Sequence, residues 1–257
     1  MSELMLIEKK DRVGIITFNS PQNKNAIGSG FMVELAEALR TVINDPEVKV
    51  IVMKGAGHCF CAGGDTKAMG GEITADFLRA SMTPFADVTN LMINTEKPII
   101  AMVEGYAVGG GMALALHADF IVMSDTAKMM LQVMKVGLVP EMGVFAHLTY
   151  AVGPYTAKKI AFTNPRLSAE DCLNYGLITM ACSPEEIEEK TMALALELAE
   201  MPAVTMGIAK RAFNYVAFDK LPALLLCEAQ HAPFLNLSGE VKDYMMAYVA
   251  KLHSKKK

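Results

Sequence analysis

The amino-acid sequence predicts an α/β protein with a helical C-terminal region. Short apolar segments typical of strands alternate with helical patterns through the first half of the chain. A strand, a glycine-rich turn, a helix and a second strand follow one another between Ile99 and Met123. The last third of the chain is mostly helical in pattern. Together these observations predict one large core followed by a helical annex.

The first half has apolar patterns that change from strand to helix and back. Residues 19–25 form a polar turn, and the helix that starts near Ser29 ends before Pro46. The elements expected here are a β-hairpin of residues 4–9 and 13–18, a helix of residues 29–45, a buried strand of residues 48–54 and an apolar helix of residues 77–93.

The stretch from Ile99 to Gly143 organises the rest of the chain. Its strand leads into three glycines, 109–111, and then into a helix. The N–H groups at the start of a helix have no partner inside it, so they can bind an anion or a developing oxyanion. Farther along, Glu141 lies in a second glycine-bounded turn. An oxyanion site close to a carboxylate would suit chemistry that passes through an enolate.

The remainder of the chain carries helical patterns with start and stop residues. Ser168 and Asp171 have the spacing of an N-terminal cap, and Gly176 fits the following C-terminal cap. The helices expected are residues 144–152, 156–162, 169–175, 184–200, 203–215, 221–234 and 239–253.

Composition and charge exclude several classes of function. The net charge of -4 gives no reason to expect a nucleic-acid partner. The longest apolar run is interrupted by Glu104, His117 and Asp119, so we expect no membrane-spanning helix and no membrane partner. The N-terminal segment lacks the apolar region of a secretory signal, and we therefore expect a cytoplasmic protein or one that reaches a compartment by another route.

The five cysteines do not have the spacing of a zinc site. Cys59 and Cys61, the only close pair, are separated by a single residue. We expect buried or partly buried reduced thiols and no metal site. The twenty methionines are interpreted first as core-filling residues, and a lining for an acyl-binding pocket is the alternative.

A second glycine-rich segment, residues 55–65, follows the buried strand of residues 48–54. Glycines allow main-chain N–H groups to approach a ligand closely, which side chains would prevent. From composition alone, a ligand-binding loop and an ordinary surface loop are equally consistent with this segment.

The two glycine-rich segments together resemble motifs of a known family, the crotonase or enoyl-CoA hydratase/isomerase superfamily. Residues 60–67, FCAGGDTK, are similar to its FCAGxDLK loop, and residues 100–111, IAMVEGYAVGGG, are similar to its IAAVxGxAxGGG segment. Supporting matches are residues 135–140, 166–171, 175–177 and 238–242. The resemblance covers nearly the whole chain in register.

The resemblance implies a crotonase-like spiral of repeated strand-strand-helix units with a C-terminal helical region. On this basis residues 1–198 form the spiral core and residues 199–257 the helical region used for trimerisation. Members of the family bind acyl-CoA thioesters and assemble as trimers or dimers of trimers. The implied partner is therefore an acyl-CoA substrate, or alternatively an acyl carrier protein. No cofactor is expected apart from the coenzyme A of the substrate.

The resemblance also implies the oxyanion-binding and CoA-binding residues. The main-chain N–H groups of Gly64 and Gly110 correspond to the pair that binds the thioester oxygen, an arrangement that stabilises an enolate. The carbonyl of Ala62 resembles the group that accepts a hydrogen bond from the adenine. Asp65 belongs to the same loop and is assigned with it. Lys24 and Lys67 match positions near the CoA phosphates, although plain surface charge is the alternative for each.

The catalytic carboxylates depart from the hydratase pattern of the family. Hydratases use two glutamates, and the matching positions hold Ala113 and Val133. Without that pair, activation of water for addition to a double bond is in doubt. Glu141 resembles the single catalytic glutamate of the peroxisomal-type Δ3,Δ2-enoyl-CoA isomerases. We expect an apolar cleft to raise its pKa, and a solvent-exposed loop glutamate is the alternative.

The resemblance thus implies an enoyl-CoA isomerase-like enzyme that shifts a double bond through an enolate with Glu141 as base. Alternatives are decarboxylation or hydrolysis of an acyl-CoA or acyl-carrier-protein thioester, hydration at a non-standard site, and acyl-CoA binding without catalysis. Among other candidate residues, Glu104 is interpreted as a strand-end charge and His117 as a buried histidine. His147 and Tyr150 follow Glu141 at helical spacing and are expected to line the pocket.

Overall fold

The fold was analysed in a computed structural model that describes residues 4–65 and 75–254. The strands are β1 (Met5–Lys10), β2 (Val13–Phe18), β3 (Val50–Gly55), β4 (Ile99–Val103), β5 (Tyr106–Val108), β6 (Phe120–Ser124), β7 (Lys128–Met130), β8 (Leu167–Ser168) and β9 (Met180–Cys182). The helices are α1 (Phe31–Asn44), α2 (Ala75–Asn94), α3 (Gly110–Leu116), α4 (Val144–Thr163), α5 (Ala169–Asn174), α6 (Ile187–Glu200), α7 (Ala203–Phe218), α8 (Leu221–Leu237) and α9 (Gly239–Ser254). Short 3₁₀ turns occur at Pro21–Asn23 and Val133–Val136.

The strands form a large sheet and a small one. The large sheet has the order β1-β2-β3-β4-β6-β9; its first pair is antiparallel, and every later pair is parallel. The small sheet has the order β5-β7-β8. The expected hairpin of residues 4–9 and 13–18 is confirmed as β1 and β2, and the predicted helix that ends before Pro46 is confirmed as α1.

The chain alternates between the two sheets in a repeating unit. β4 lies in the large sheet, β5 in the small one, and α3 follows; β6, β7 and α4 repeat the pattern. After β3, residue Cys61 forms a parallel bridge with Ala107 of β5, so the first glycine loop occupies the same place in its own unit. These units confirm the repeated strand-strand-helix architecture expected from the resemblance.

The main difference from the sequence-based expectation lies just before the three glycines. The apolar run from Ile99 does not continue as one strand but turns at Gly105, where φ is +57°, and enters the small sheet as β5. β7, β8 and β9 were also missed, because segments of two or three residues are too short to have a recognisable period. The two predicted helices of residues 144–152 and 156–162 are the halves of α4, interrupted at Gly153.

The large sheet separates two apolar cores because successive side chains of a strand point to opposite faces. On one face Ile51, Met53 and Ile99 pack with α1 and α2, and on the other Val52 and Ile100 pack with α6. Many of the buried side chains are methionines, which supports their interpretation as core residues. Of the cysteines, Cys59, Cys61, Cys172 and Cys182 are buried, whereas Cys227 is exposed, contrary to expectation.

No single helix within the described residues is long and apolar enough to cross a membrane. Only α6 and α7 taken together meet the length and composition test, and they are bent by 107° at the break between them.

A buried ion pair connects the C-terminal helices to the large sheet. The ammonium of Lys210 in α7 donates to Asp119 Oδ2 at 2.7 Å and to the main-chain carbonyls of Met92 and Lys97, both at 3.1 Å. The same Asp119 oxygen accepts from the N–H of Ile99 at 2.7 Å. The predicted boundary at residue 199 falls in the last turn of α6 and remains a prediction.

We expect Lys210→Met to destabilise the protein strongly. Its removal leaves the half-buried Asp119 carboxylate and two carbonyls without their cation, and breaking a buried pair in this way typically costs about 3–5 kcal/mol. The midpoint of urea unfolding measures the loss. Lys190→Met, which removes an exposed partner of Glu186, is the matched control and should cost about 0–1 kcal/mol. Equal effects of the two substitutions would contradict the assignment.

Candidate active site

The two glycine loops that the sequence singled out lie against each other. The N–H of Cys61 donates to Tyr106 O at 2.9 Å, and the N–H of Val108 donates back to Cys61 O at 3.0 Å. On the other side of the first loop, the N–H of Ile27 donates to Gly63 O at 2.7 Å, and the N–H of Asp65 donates to Ile27 O at 3.0 Å. The loop is therefore held between residue 27 and β5 by main-chain hydrogen bonds.

This pairing leaves two amides available at the ends of the loops. In the parallel bridge between Ile27 and Gly64, the bonds are made by Gly63 and Asp65, so the N–H of Gly64 points away from Ile27. Gly110 is the first residue of α3, where N–H groups have no intrahelical acceptor. Within the described ranges neither amide has a hydrogen-bond acceptor. The structure thus brings together the two loops expected to supply an oxyanion site.

Close approach of the main chain requires glycine at two positions in these loops. A Cβ at Gly63 would overlap the carbonyl oxygen of Val108, and the φ of Gly63 is +83°. A Cβ at Gly111 would overlap the carbonyl oxygen of Cys61. By contrast, a Cβ at Gly64 would meet no atom within 4 Å. Gly63 and Gly111 therefore set the spacing of the loops, whereas Gly64 faces open space.

Glu141 lies in a loop that runs beside α3. The 3₁₀ turn before the loop places Val133 Cγ2 3.5 Å from the position of a Cβ on Gly109, at the start of α3. At the other end of that helix, the ring of His117 faces the main-chain carbonyl of Met142. Glu141 itself is half-buried, which does not support the alternative of a solvent-exposed loop glutamate.

A second buried carboxylate, which the sequence analysis missed, lies close to Glu141. Glu228 of α8 is 7% exposed, and its Oε1 and Oε2 accept from the N–H of Gly143 at 3.2 and 3.0 Å. It is the one acidic residue of α8, whose sequence is mostly apolar. A lone acid in a mostly apolar helix was the available indication, but nothing in the sequence linked it to Glu141.

Burial changes the acidity of both carboxylates. It raises the pKa of Glu141 from 4.5 to about 7, and the negative charge of Glu228 acts in the same direction. Burial likewise raises the pKa of Glu228 to about 7, although the N–H groups of Gly143 and Met142 oppose this change. A carboxylate with a pKa near neutrality can accept a proton and return it within one reaction cycle.

The positions where hydratases of the family carry glutamates are apolar in this structure. Ala113 lies in α3 and is buried, and its carbonyl accepts from His117 Nδ1. Val133 begins the 3₁₀ turn beside Gly109. Neither α3 nor this 3₁₀ turn therefore supplies a carboxylate, and Glu141 and Glu228 come from other elements.

The residues assigned to CoA binding surround the first glycine loop and Tyr106. Lys24 is exposed, its Nζ lies 5.2 Å from the centre of the Tyr106 ring, and its carbonyl accepts from the N–H of Ala62 at 3.0 Å. Arg166 donates to Tyr106 Oη at 2.9 Å from the same region. Ala62 and Asp65 are half-buried. Lys67 lies outside the described residues.

The remaining candidate residues, Glu104, His117 and His147, form an ion pair or pack against other side chains. Glu104 pairs with the exposed His58 at 2.9 Å, which raises the pKa of that histidine. His117 is buried as expected, and burial lowers its pKa to about 4. His147 packs against His117 and Phe218, with ring centres 4.3 Å apart in each pair.

A cavity of about 400 Å³ is lined by His147 and Tyr150 together with residues of α7. The lining of this cavity contains none of Glu141, Gly64 and Gly110. His147 and Tyr150 therefore line a cavity other than the substrate pocket that they were expected to line. In the described parts of the chain, no three His, Cys, Asp or Glu side chains are grouped in a way that could hold a metal ion.

Comparisons with known proteins identify related chains over almost the full length. A family model described as enoyl-CoA hydratase/isomerase matches residues 8–256. A probable enoyl-CoA hydratase of Rhizobium meliloti (strain 1021) is 34% identical over 249 residues, which are 97% of this chain and 96% of that protein. The 1,2-epoxyphenylacetyl-CoA isomerase of Escherichia coli (strain K12) is 29% identical over 254 residues, covering 98% and 97%.

A similar solved structure is that of an enoyl-CoA hydratase from Mycobacterium avium subsp. paratuberculosis K-10. It has a TM-score of 0.87 and 27% sequence identity, and the match covers 96% of each chain.

We expect substitution of the two neighbouring glycines of the first loop to destabilise the protein at one position and not at the other. Gly63→Ala places a methyl group against Val108 and forces a strained φ, so it should lower the free energy of unfolding by more than about 1 kcal/mol. Gly64→Ala meets no neighbour and should change it by less than about 0.5 kcal/mol. Urea unfolding of the two variants tests this, and a destabilised Gly64→Ala would contradict the described loop geometry.

Proposed function

Because the chain belongs to the enoyl-CoA hydratase/isomerase family, we propose that it isomerises a 3-enoyl-CoA to the conjugated 2-enoyl-CoA with Glu141 as its single base. The observation that carries the proposal is a half-buried carboxylate with a pKa of about 7 in the loop that runs beside α3, the helix that begins at the second glycine loop. The hydratase positions Ala113 and Val133 carry no acid.

The proposed reaction is a proton transfer through a dienolate. Ionised Glu141 removes a proton from C2, the carbon next to the thioester carbonyl, and the electron pair is delocalised onto the thioester oxygen. The N–H groups of Gly64 and Gly110 stabilise this charge, and one such donor in a dry site is worth about 3–4 kcal/mol. Protonated Glu141 then returns the proton to C4, and the double bond moves from C3–C4 to C2–C3.

Hydration is the second candidate because a relative is named as a probable enoyl-CoA hydratase. Addition of water needs groups that orient and deprotonate it while a proton reaches the α-carbon. The second carboxylate of the site, Glu228, is held at the start of α4, where both of its oxygens accept from the N–H of Gly143. This arrangement supports isomerisation over hydration.

Coenzyme A is proposed to bind beside the first glycine loop. Ala62 would receive the adenine, and Asp65 belongs to the same loop. Lys24 supplies an exposed cation near Tyr106, and Lys67 is assigned to the phosphates from the resemblance alone. An acyl carrier protein is the alternative carrier of the thioester.

A homotrimer, or a dimer of trimers, remains part of the proposal. It is supported by exposed apolar side chains of α7, the first helix that lies wholly within the predicted C-terminal region. Val204, Ile208, Phe213 and Val216 of this helix are 70%, 63%, 72% and 74% exposed. Contact with further copies of the chain would remove these side chains from water.

The proposed activity is tested with a purified chain and a 3-enoyl-CoA. Isomerisation produces the absorbance of a conjugated 2-enoyl-CoA. A parallel incubation with the 2-enoyl-CoA, analysed by mass spectrometry, detects the added water of a hydratase. Hydrated product without isomerised product would favour the second candidate, and binding without any product would favour an acyl-CoA-binding protein.

We expect Glu141→Gln to lower kcat by about 10²–10⁴-fold, the usual contribution of a general base. For the wild-type enzyme, kcat/KM should fall below pH 7, because Glu141 must be ionised to accept the proton and its pKa is about 7. Glu104→Gln, which removes the carboxylate paired with exposed His58, is the control and should retain turnover. Unchanged turnover in Glu141→Gln would exclude Glu141 as the base.

A further inference from the structure

Glu228 forms a long-range contact that neither the family motifs nor the proposed reaction assigns. Glu228 lies 87 positions after Glu141 in the sequence. Its hydrogen-bond donor is the N–H of Gly143, which is 85 positions away. Its side chain is buried, and both of its carboxylate oxygens accept from that single N–H. A buried acid is costly unless it makes specific hydrogen bonds, so this contact needs an explanation.

The contact caps the helix that follows the Glu141 loop. Gly143 is the N-cap residue of α4, and it has no side chain with which to accept from the first N–H groups of the helix. Glu228 of α8 instead accepts from the N–H of this N-cap residue itself, and its charge complements the positive end of the helix dipole. Leu221, at the start of α8, packs so closely on Gly143 that a Cβ there would overlap it. The start of α8 therefore packs directly against the start of α4.

The capped segment begins immediately after Glu141. Met142 has a φ of +62°, which is unfavourable for a residue other than glycine, and its side chain is 2% exposed. Such a conformation persists only where the surroundings enforce it. The N–H groups of Met142 and Gly143 both face the Glu228 carboxylate, which supplies that restraint. This restraint acts on the main chain immediately after Glu141.

When it is ionised, Glu228 places a second negative charge near Glu141, which raises the pKa of Glu141. The other titratable groups around the loop do not offset it: burial lowers the pKa values of His117 in α3 and His147 in α4, which keeps both rings neutral at pH 7. Lys210 of α7 is engaged by Asp119.

Other titratable groups belong to the segment that leads into the Glu141 loop and to the helices α2, α8 and α9. Lys135 is exposed, and Asp87 of α2 pairs with Arg40. In α9, Tyr244 lies beside Gly137, and Tyr248 accepts from Gln132. In α8, His231 bonds to Cys227 on the exposed side.

We propose that Glu228 is the positioning residue for Glu141: its carboxylate fixes the main chain after the base and, when ionised, supplies the second negative charge of the site. This role rests on the proposed function, in which Glu141 is the base. The two parts of the role can be separated. Glutamine at position 228 keeps an oxygen that can accept from Gly143 but removes the charge, whereas alanine removes both.

Titration of the carboxyl carbons by NMR in chains labelled with ¹³C-glutamate tests the charge without any need for activity. The Glu141 resonance is identified by its absence in Glu141→Gln. In Glu228→Gln, Glu141 should titrate about 1 pH unit lower than in the wild type, because a like charge has been removed. Glu197→Gln, at an exposed position of α6, is the matched control and should leave the titration unchanged.

Steady-state kinetics of Glu228 variants test whether its carboxylate fixes the main chain after Glu141. At a pH where Glu141 is ionised in every variant, Glu228→Ala should lower kcat by about tenfold or more with little change in KM, because misplacement of a catalytic group lowers the rate of the chemical step. Glu228→Gln should recover most of the loss. A merely structural residue would not shift the acidic limb of the pH profile in Glu228→Gln, and the proposed role requires that shift.

Two results would overturn the role of Glu228. One is an unchanged Glu141 titration in folded Glu228→Gln. The other is full kcat in folded Glu228→Ala. Absence of isomerisation by the wild-type chain would instead reject the proposed function, and the NMR titration would still decide whether Glu228 controls the ionisation of Glu141.

Discussion

The close approach of two glycine loops is the constraint on which the candidate site depends. Gly63 lies against Val108, and Gly111 lies against Cys61, at separations that leave no room for a Cβ. The hydrogen bonds between Cys61 and β5 can form only because the loops approach so closely. As a result the amide of Gly64 and the first amide of α3 belong to one region of the molecule, although 46 positions separate them in the chain.

The repeating architecture explains why the loops meet. Each unit passes from the large sheet to the small sheet before its helix begins, so equivalent points of successive units become neighbours. The first glycine loop and β5 are such equivalent points, as their parallel bridge demonstrates. The next unit places the Glu141 loop beside α3, from Gly109 at one end to His117 at the other. The site is therefore assembled from three consecutive units.

The acid–base character of the site comes mainly from burial, and a second acid from a distant helix adds to it. Ala113 and Val133 leave apolar surroundings where hydratases of the family carry glutamates. In such surroundings the charged form of a carboxylate is disfavoured, and the pKa of Glu141 rises to about 7. Glu228, held by the start of α4, adds a like charge from a helix that is distant in sequence. A base that is partly protonated at neutral pH is suited to removing a proton and returning it.

The sequence by itself determined the fold class, the hairpin, most of the helices and the identity of the two glycine loops. These features follow from local periodicity and from residues whose chemistry is fixed by their type, such as glycine at a main-chain contact. Through its motif it also predicted Glu141 as the base, and this role remains a prediction. Only the tertiary structure decided that the chain turns at Gly105 into a second sheet and that Glu228 lies beside Glu141. Contacts between distant segments leave no local pattern, since they depend on how the helices pack and not on their own periodicity.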